Sequence, residues 1–365
     1  MKFTENQRKV YLLALALLIA AIVLACVWLL WLRPSGPSER QVDEDLPQTP
    51  YAEDVAAQLE PVETVAPKDV EKVSTIVYYQ DNEGYLVPVM CNVPMEDGIA
   101  KATLNMMVQN AGNDMQAARL GLRTVLPENT TIDLDISKEV ARIDLSSEVL
   151  NLADAAQETN MVNAVVQTLT EFDTVKEVEF LIGGQKLAKL PHGTDISGKF
   201  TRRDLNLEAV EDVEGLSDTK PVTLYFPSDS GAVVVPVTRM VWSKPDINTA
   251  VLELAKGPEA TGSLENPLPD GCGLIDVNVE NGVAKLNFTK EFADLALDSD
   301  GGRMAVKALV LTCTQFDGVK SVEIYVEGEK FDPGEGTLNV PTFANVADNI
   351  VYDYIQTQAA MILGD

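Results

Sequence analysis

Few side chains of this chain belong to the types that carry nucleophilic or metal-dependent chemistry. The sequence has one histidine, His192, and four cysteines, of which Cys91, Cys272 and Cys313 follow the apolar amino-terminal segment. Zinc hydrolysis usually needs two or more histidines, and Ser–His or Cys–His catalysis would depend on His192 alone. This histidine lies in a Leu-Pro-His-Gly segment typical of a solvated loop. We therefore predict no metal-ligating residue and no nucleophile activated by histidine.

Carboxylates are the remaining candidates, because glycosidases act with a pair of them. Glu148 and Glu291 follow predicted strands, after Ser-Ser and Thr-Lys respectively. At the start of a helical turn, a capping carboxylate is the ordinary interpretation of such a residue. A wall-lytic or wall-modifying enzyme that uses this pair remains a second hypothesis, and it predicts that Glu148→Gln or Glu291→Gln abolishes turnover of peptidoglycan. Our main interpretation has no catalytic residue, no cofactor-binding residue and no cofactor.

The chain contains a tandem duplication. Leu-Thr-Glu-Phe-Asp at 169–173 returns as Cys-Thr-Gln-Phe-Asp at 313–317, a shift of 144 positions. Further pairs are Val-Pro-Val at 87–89 and 235–237, Leu-Pro at 126–127 and 268–269, and two alternating strands at 132–145 and 275–288. Residues absent from one copy cannot be essential to a role that both copies share. This criterion removes the histidine and the three cysteines, whereas Glu148 and Glu291 recur.

No cysteine position is common to both copies, so we predict no disulfide framework. A bridge between Cys272 and Cys313 within the second copy stays open at this point. The formal net charge of −28 argues against binding to nucleic acid or to anionic lipid, because both require basic patches.

Each copy has the pattern strands, helix, strands, helix, strands. Predicted hairpins join 75–79 to 85–91 and 222–226 to 232–238; predicted helices span 98–109, 161–172, 246–256 and 303–316; later strands span 175–182 and 319–326, each with a short partner after a glycine. Asn281-Gly282 supplies the positive φ of a tight turn between two strands. We predict an α+β fold in which a mostly antiparallel sheet carries two helices on one face.

An apolar run at 10–32 precedes the copies and is long enough to cross a bilayer. Lys2, Arg8 and Lys9 lie before it and an acidic stretch follows, so residues 1–9 are expected in the cytoplasm and the rest outside. A cleavable signal peptide and a lipoprotein lipidated at Cys26 are the alternatives.

The remaining boundaries follow from composition. We predict an acidic, Pro-rich linker at 33–72, a first domain at 73–196, an interdomain linker at 197–219, a second domain at 220–340 and a helical tail at 341–365. The tail carries an apolar stripe that includes Phe343, Ile350 and Tyr354. It is expected either to dock onto the second domain or to bind a partner helix.

The ordered motifs of both copies resemble the GerMN domain, a sporulation and spore-germination module. The resemblance rests on the Val-Pro-Val strand, the Ala-x-Leu helix, the Leu-Pro loop, the paired strands and the Thr-x-Phe-Asp helix end, and it covers about two-thirds of the chain. It implies a fold similar to ring-building modules and a structural role in the channel-like complex between mother cell and forespore. The first copy departs from it with Gln-Asn-Ala-Gly at 109–112, where the second has Gly-Pro at 257–258.

From these observations we expect a non-enzymatic, membrane-anchored envelope scaffold. Its expected partners are the membrane, through the amino-terminal helix, envelope or sporulation proteins, and further copies of itself. A peptidoglycan-binding or peptidoglycan-modifying protein, a ligand-binding module for glycan or peptide, and an envelope lipoprotein outside sporulation are the alternatives.

Overall fold

The computed structural model describes residues 71–95, 98–208, 218–242, 244–259, 262–295 and 299–331, together with Asn345. They belong to one compact unit, Val65–Asp365. The predicted span at 10–32, most of the acidic linker and the carboxyl-terminal tail apart from Asn345 lie outside the described residues, so those predictions stay predictions. Within the described part of the chain, no helix is both long and apolar enough to cross a membrane.

Each copy begins with an antiparallel hairpin that forms a sheet of its own. β1 (Lys72–Gln80) pairs with β2 (Leu86–Pro94), and β7 (Lys220–Pro227) pairs with β8 (Val234–Val241). Valine, tyrosine and phenylalanine suit a pleated, buried surface, and β8 is buried along nearly its whole length. Both hairpins were predicted, but the sequence did not show that they are separate from the larger sheet of each copy.

Each copy also has a four-stranded sheet with the same order. The first contains β3 (Ile132–Ser137), β4 (Val140–Leu145), β5 (Glu177–Ile182) and β6 (Lys199–Phe200); the second contains β9 (Leu274–Glu280), β10 (Val283–Phe288), β11 (Ser321–Val326) and β12 (Glu329–Phe331). The outer pairings are antiparallel, as predicted, whereas β4–β5 and β10–β11 are parallel. A helix crosses over between these central strands, and a crossover of that length joins parallel neighbours.

The helices begin and end at caps that the apolar period does not reveal. They are α1 (Ile99–Asn105), α2 (Ala111–Ala118), α3 (Ala155–Leu169), α4 (Ile247–Ala255) and α5 (Asp300–Thr314). The predicted helix at 98–109 was too long, because α1 ends at Asn105. Asn110 then caps the separate helix α2 by accepting hydrogen bonds from the N–H groups of Gly112 and Asn113. The predicted helix at 161–172 began too late, because Asp154 caps α3 before a polar first turn.

The long helix of each copy packs against its hairpin with the same buried hydrogen bond. The Tyr78 N–H donates to Thr168 Oγ1 at 3.2 Å, and the Tyr225 N–H donates to Thr312 Oγ1 at 3.1 Å. Both threonines are fully buried and lie 144 positions apart, so they are equivalent in the duplication. A buried edge N–H without a partner would cost about 1–3 kcal/mol, which explains why the hydroxyl recurs.

Candidate functional site at the junction of the two copies

Asn206 joins strands from both copies. Its Oδ1 accepts from the Leu86 N–H at 2.8 Å, and its Nδ2 donates to Leu86 O at 2.8 Å and to Pro236 O at 2.7 Å. Leu86 lies on β2 of the first copy and Pro236 on β8 of the second. The residue has φ of 52°, in the left-handed region that asparagine tolerates better than most residues. Asn206 therefore links the two hairpins through its side chain.

Asn345 makes the same bonds with the copies exchanged. Its Oδ1 accepts from the Val234 N–H at 2.9 Å, and its Nδ2 donates to Val234 O at 3.0 Å and to Pro88 O at 2.8 Å. Leu86 and Pro88 are equivalent to Val234 and Pro236 at a shift of 148. The backbone repeats the relation, because Asn345 O accepts from the N–H of Met90 and Asn206 O from that of the equivalent Thr238. This reciprocal pattern is that of a twofold, isologous contact.

A buried ion pair holds the segment after the first copy to the second copy. Glu208 accepts from Arg239 Nε at 2.5 Å and from its Nη2 at 2.9 Å. The same guanidinium donates to the carbonyls of Glu253 and Gly257, both at 2.8 Å. Arg239 is 5% exposed, and its position in the first copy is occupied by Cys91. A fork of donors that is fully matched by acceptors is the arrangement in which a buried arginine is tolerated.

The segment predicted as a linker at 197–219 is structured as far as Glu208. It contains β6, so the first sheet extends past the predicted domain end at 196. Arg202 donates to the Tyr78 hydroxyl at 2.8 Å and pairs with Glu171 at 2.7 Å, while the Tyr78 hydroxyl donates to Glu171 at 2.7 Å. Burial, together with Glu171, raises the pKa of Tyr78, so the phenol stays protonated as the donor. The segment is thus part of the junction.

The two recurring glutamates occupy equivalent places and stay apart from the junction contacts. Glu148 lies in the 3-10 helix Ser147–Asn151 and Glu291 in the 3-10 helix Lys290–Asp294. Hydrogen bonds from Ser146 to Glu148 and from Thr289 to Glu291, and from each residue's own N–H, lower the pKa of both carboxyls. A general acid of a glycosidase requires a raised pKa, so this direction matches the capping interpretation.

The lone histidine is an exposed residue of the loop that closes over α3. The His192 N–H donates to Glu158 at 2.8 Å, and its Nε2 lies 2.8 Å from Leu152 O. Glu158 is fully buried and also accepts from the Thr194 N–H at 3.2 Å. Burial acts to raise the pKa of Glu158, but these hydrogen bonds outweigh it, so the pKa is lowered. Sequence reasoning missed Glu158 because the periodic pattern does not distinguish a buried glutamate on a helix from an exposed one.

The described cysteines are separate thiols. Cys91 and Cys313 are buried and Cys272 is partly buried, and all three are free, so the bridge between Cys272 and Cys313 is not formed. Burial raises the pKa of Cys91 and Cys313 to about 12 and that of Cys272 to about 11. Among the described residues, no group of three or more His, Cys, Asp or Glu side chains is placed to hold a metal ion.

Comparison with known proteins decides the family. The model of the family described as "Germane: Sporulation and spore germination" matches residues 76–188 and 223–332, which coincide with the two copies. The chain belongs to the Germane family. The spore germination protein GerM of Bacillus subtilis (strain 168) is 32% identical to this Germane chain over 263 residues, which cover 69% of this chain and 71% of that protein.

The solved structure of the tandem GerMN domains of the sporulation protein GerM from Bacillus subtilis supports the same assignment. It is 30% identical, matches with a TM-score of 0.61, and is covered completely by 76% of this chain. The α+β fold and its division into two tandem GerMN-like domains are therefore confirmed. The prediction of a sporulation or germination family is confirmed as well.

Proposed function

We propose that this chain is a non-enzymatic, membrane-anchored scaffold of the cell envelope. It would act in sporulation or germination through protein contacts in a channel-like complex between mother cell and forespore. Membership of the Germane family and the apolar run predicted to span the membrane at 10–32 support this proposal.

The observation that carries the proposal is that the residues shared by the two copies hold the fold together. The features that recur at equivalent positions in the two copies serve the architecture: capping carboxylates, the buried threonine of each long helix and the reciprocal asparagines at the junction. Both copies are held as one compact unit by polar contacts between β2 and β8. Sheet edges that another strand can join are suited to assembly with other proteins.

The edge strand β9 offers the best surface for such a contact. Val277 and Val279 lie on the face of β9 that continues the buried face of β10, because they pair with Leu286 and Ala284, yet Val279 is 46% exposed. Ile275 lies at the shift in register between β9 and β10 and is 48% exposed. An edge strand with uncovered apolar side chains is prone to pair with another chain. The equivalent β3 of the first copy leaves only Ile136 exposed in this way, at 38%.

The test uses the full chain in its native host. In-cell cross-linking followed by purification should recover envelope proteins with the wild-type chain, and recovery should fall at least tenfold for a variant that combines Ile275→Lys and Val279→Lys. Met115→Lys is the matched control, because Met115 is also 48% exposed but lies on α2. Recovery that is unchanged by the β9 substitutions would refute β9 as the contact. The absence of any cross-linked envelope protein, with binding to purified wall material instead, would refute the scaffold role.

A further inference from the structure

The first copy contains a polar cavity beside the junction. Its volume is about 440 Å³, and it lies between the turn of the first hairpin, one face of α3 and the segment that follows β6. The α3 wall consists of three amide side chains, Asn160, Asn163 and Gln167, at positions i, i+3 and i+7. That spacing places all three on one face of the helix. The cavity is thus lined on one side by a row of amides.

This row has hydrogen-bonding capacity that the fold does not use. No described residue is hydrogen-bonded to the Asn163 side chain. Gln167 is 3% exposed; its Nε2 donates to Arg203 O at 2.7 Å, but its buried Oε1 has no partner among the described residues. The Nδ2 of Asn160 donates hydrogen bonds to Gln80 Oε1 and to Gly84 O. Buried polar atoms are nearly always paired in folded proteins, so the unpaired Oε1 of Gln167 is an acceptor that the fold leaves unused beside the cavity.

The second copy has no such row. The positions equivalent to Asn160, Asn163 and Gln167, at a shift of 144, are Met304, Lys307 and Leu311. Met304 and Leu311 pack against buried Val234 and Ala308 together with Tyr225, so this helix face is filled by apolar contacts. The amide row is therefore a specialisation of the first copy and is not required by the shared fold.

We propose that this cavity binds an extended peptide segment of a partner protein through its backbone. Amide side chains both donate and accept, as a peptide backbone does. The row from Asn160 to Gln167 spans seven residues of helix, or about 10 Å, which corresponds to about three residues of extended chain. Leu205 and Leu207, on the opposite wall, provide apolar contact for the side chains of such a segment.

Other ligand classes fit the wall less well. Among the described residues, Glu83 and Asp204 line the cavity with Arg203 as the one basic residue. The chain carries a formal charge of −28, so an anionic ligand would be repelled. Of the described residues that line the cavity, Tyr85 alone is aromatic, which leaves little surface for stacking on a sugar ring. The proposal rests on the proposed scaffold function, but it assigns a contact on a different surface from β9.

The test is photo-cross-linking of the purified full chain to a defined probe. The probe is acetyl-tetra-alanine amide carrying a benzophenone, which offers a backbone and almost no side chain, and benzophenone acetamide is the control for the photoreactive group. We expect saturable cross-links that map to 83–86, 160–167 and 203–207 and that excess unlabelled peptide removes. Asn163→Leu should reduce them at least fivefold while the melting temperature is unchanged, because the Asn163 side chain makes no hydrogen bond to the described residues. Asn151→Leu, at an exposed asparagine outside the cavity, should have no effect.

Three results would overturn the proposal. The first is cross-linking that an excess of unlabelled peptide does not reduce, and the second is cross-linking that Asn163→Leu leaves unchanged. The third is a reduction by chitotetraose as large as that by the peptide, which would indicate a glycan site. Asn163→Ala, which removes the amide without adding a larger apolar side chain, provides a second variant if Asn163→Leu alters the fold. Each of these results leaves the β9 cross-linking test unaffected, so failure of the cavity proposal is distinguishable from failure of the scaffold function.

Discussion

Removal of the Asn206 side chain should weaken the junction by a predictable amount. Asn206→Ala deletes three hydrogen bonds, each worth about 0.5–1.5 kcal/mol net, and leaves the Leu86 N–H without its acceptor. Alanine at a φ of 52° adds about 1 kcal/mol of backbone strain, which Asn206→Gly avoids. We expect a loss of about 3–4 kcal/mol in the free energy of unfolding for the alanine variant and about 2–3 kcal/mol for glycine.

The assay is urea unfolding of the full chain, followed by tyrosine fluorescence and far-UV circular dichroism. Asn278→Ala is the matched control, because Asn278 is exposed and its side chain bonds only to Glu280 among the described residues. A double-mutant cycle with Asn345→Ala should show coupling of at least about 0.5 kcal/mol, because both asparagines bridge β2 and β8. The reasoning is refuted if Asn206→Ala costs no more than the control, or if the effects of Asn206→Ala and Asn345→Ala are additive.

Three further predictions concern buried groups. Arg239→Met should lower the free energy of unfolding by about 3–5 kcal/mol, because it leaves Glu208 buried without its cation. Adding Glu208→Leu should restore part of this loss in the same unfolding assay. A double variant whose loss equals the sum of the two single losses would contradict this prediction. Glu158→Gln should cost about 1–3 kcal/mol at pH 7. The pKa of Glu158 is lowered in the folded state, so its contribution to the free energy of unfolding is complete above the ordinary value of 4.5 and is lost as the pH falls through the folded-state pKa. The difference in unfolding free energy between wild type and Glu158→Gln should therefore shrink in acid. A difference that stays constant with pH would contradict this prediction. Burial raises the pKa of Cys91 and Cys313 to about 12, so both thiols should react with a thiol reagent at pH 8 only when the chain is unfolded in urea. Mass spectrometry measures the modification, and modification of both thiols in the native chain would contradict this prediction.

The parts of the fold that follow from local pattern were predictable from the sequence. Alternation at 132–145 and 275–288 gave the paired strands, because side chains on a strand point to opposite faces. The ends of helices were not predictable from the apolar period alone, since they depend on caps. Asn110 and Asp154 were visible in the sequence, but only a search for caps would have located α2 and the true start of α3.

The junction could not be predicted from local pattern, because Asn206 bonds to a strand 120 positions earlier. One signal was nevertheless present. An asparagine between apolar residues follows each copy, as Leu-Asn-Leu at 205–207 and Ala-Asn-Val at 344–346. The motifs that the two copies share end before these segments, so the repeat pattern does not reveal that Asn206 and Asn345 are equivalent. The cavity was likewise hidden, because Asn163 and Gln167 differ between the copies and carry no motif.

The reciprocal bonds of Asn206 and Asn345 have a consequence for how this chain changes during evolution. In a homodimer, every substitution occurs in both subunits, so a residue acquired for one ligand is imposed on both sides of the interface. Fusion of the two halves into one gene removes that constraint. Position 91 can hold a cysteine and its equivalent 239 an arginine, and only one half can carry the amide row, while both halves keep the symmetric contact that joins them.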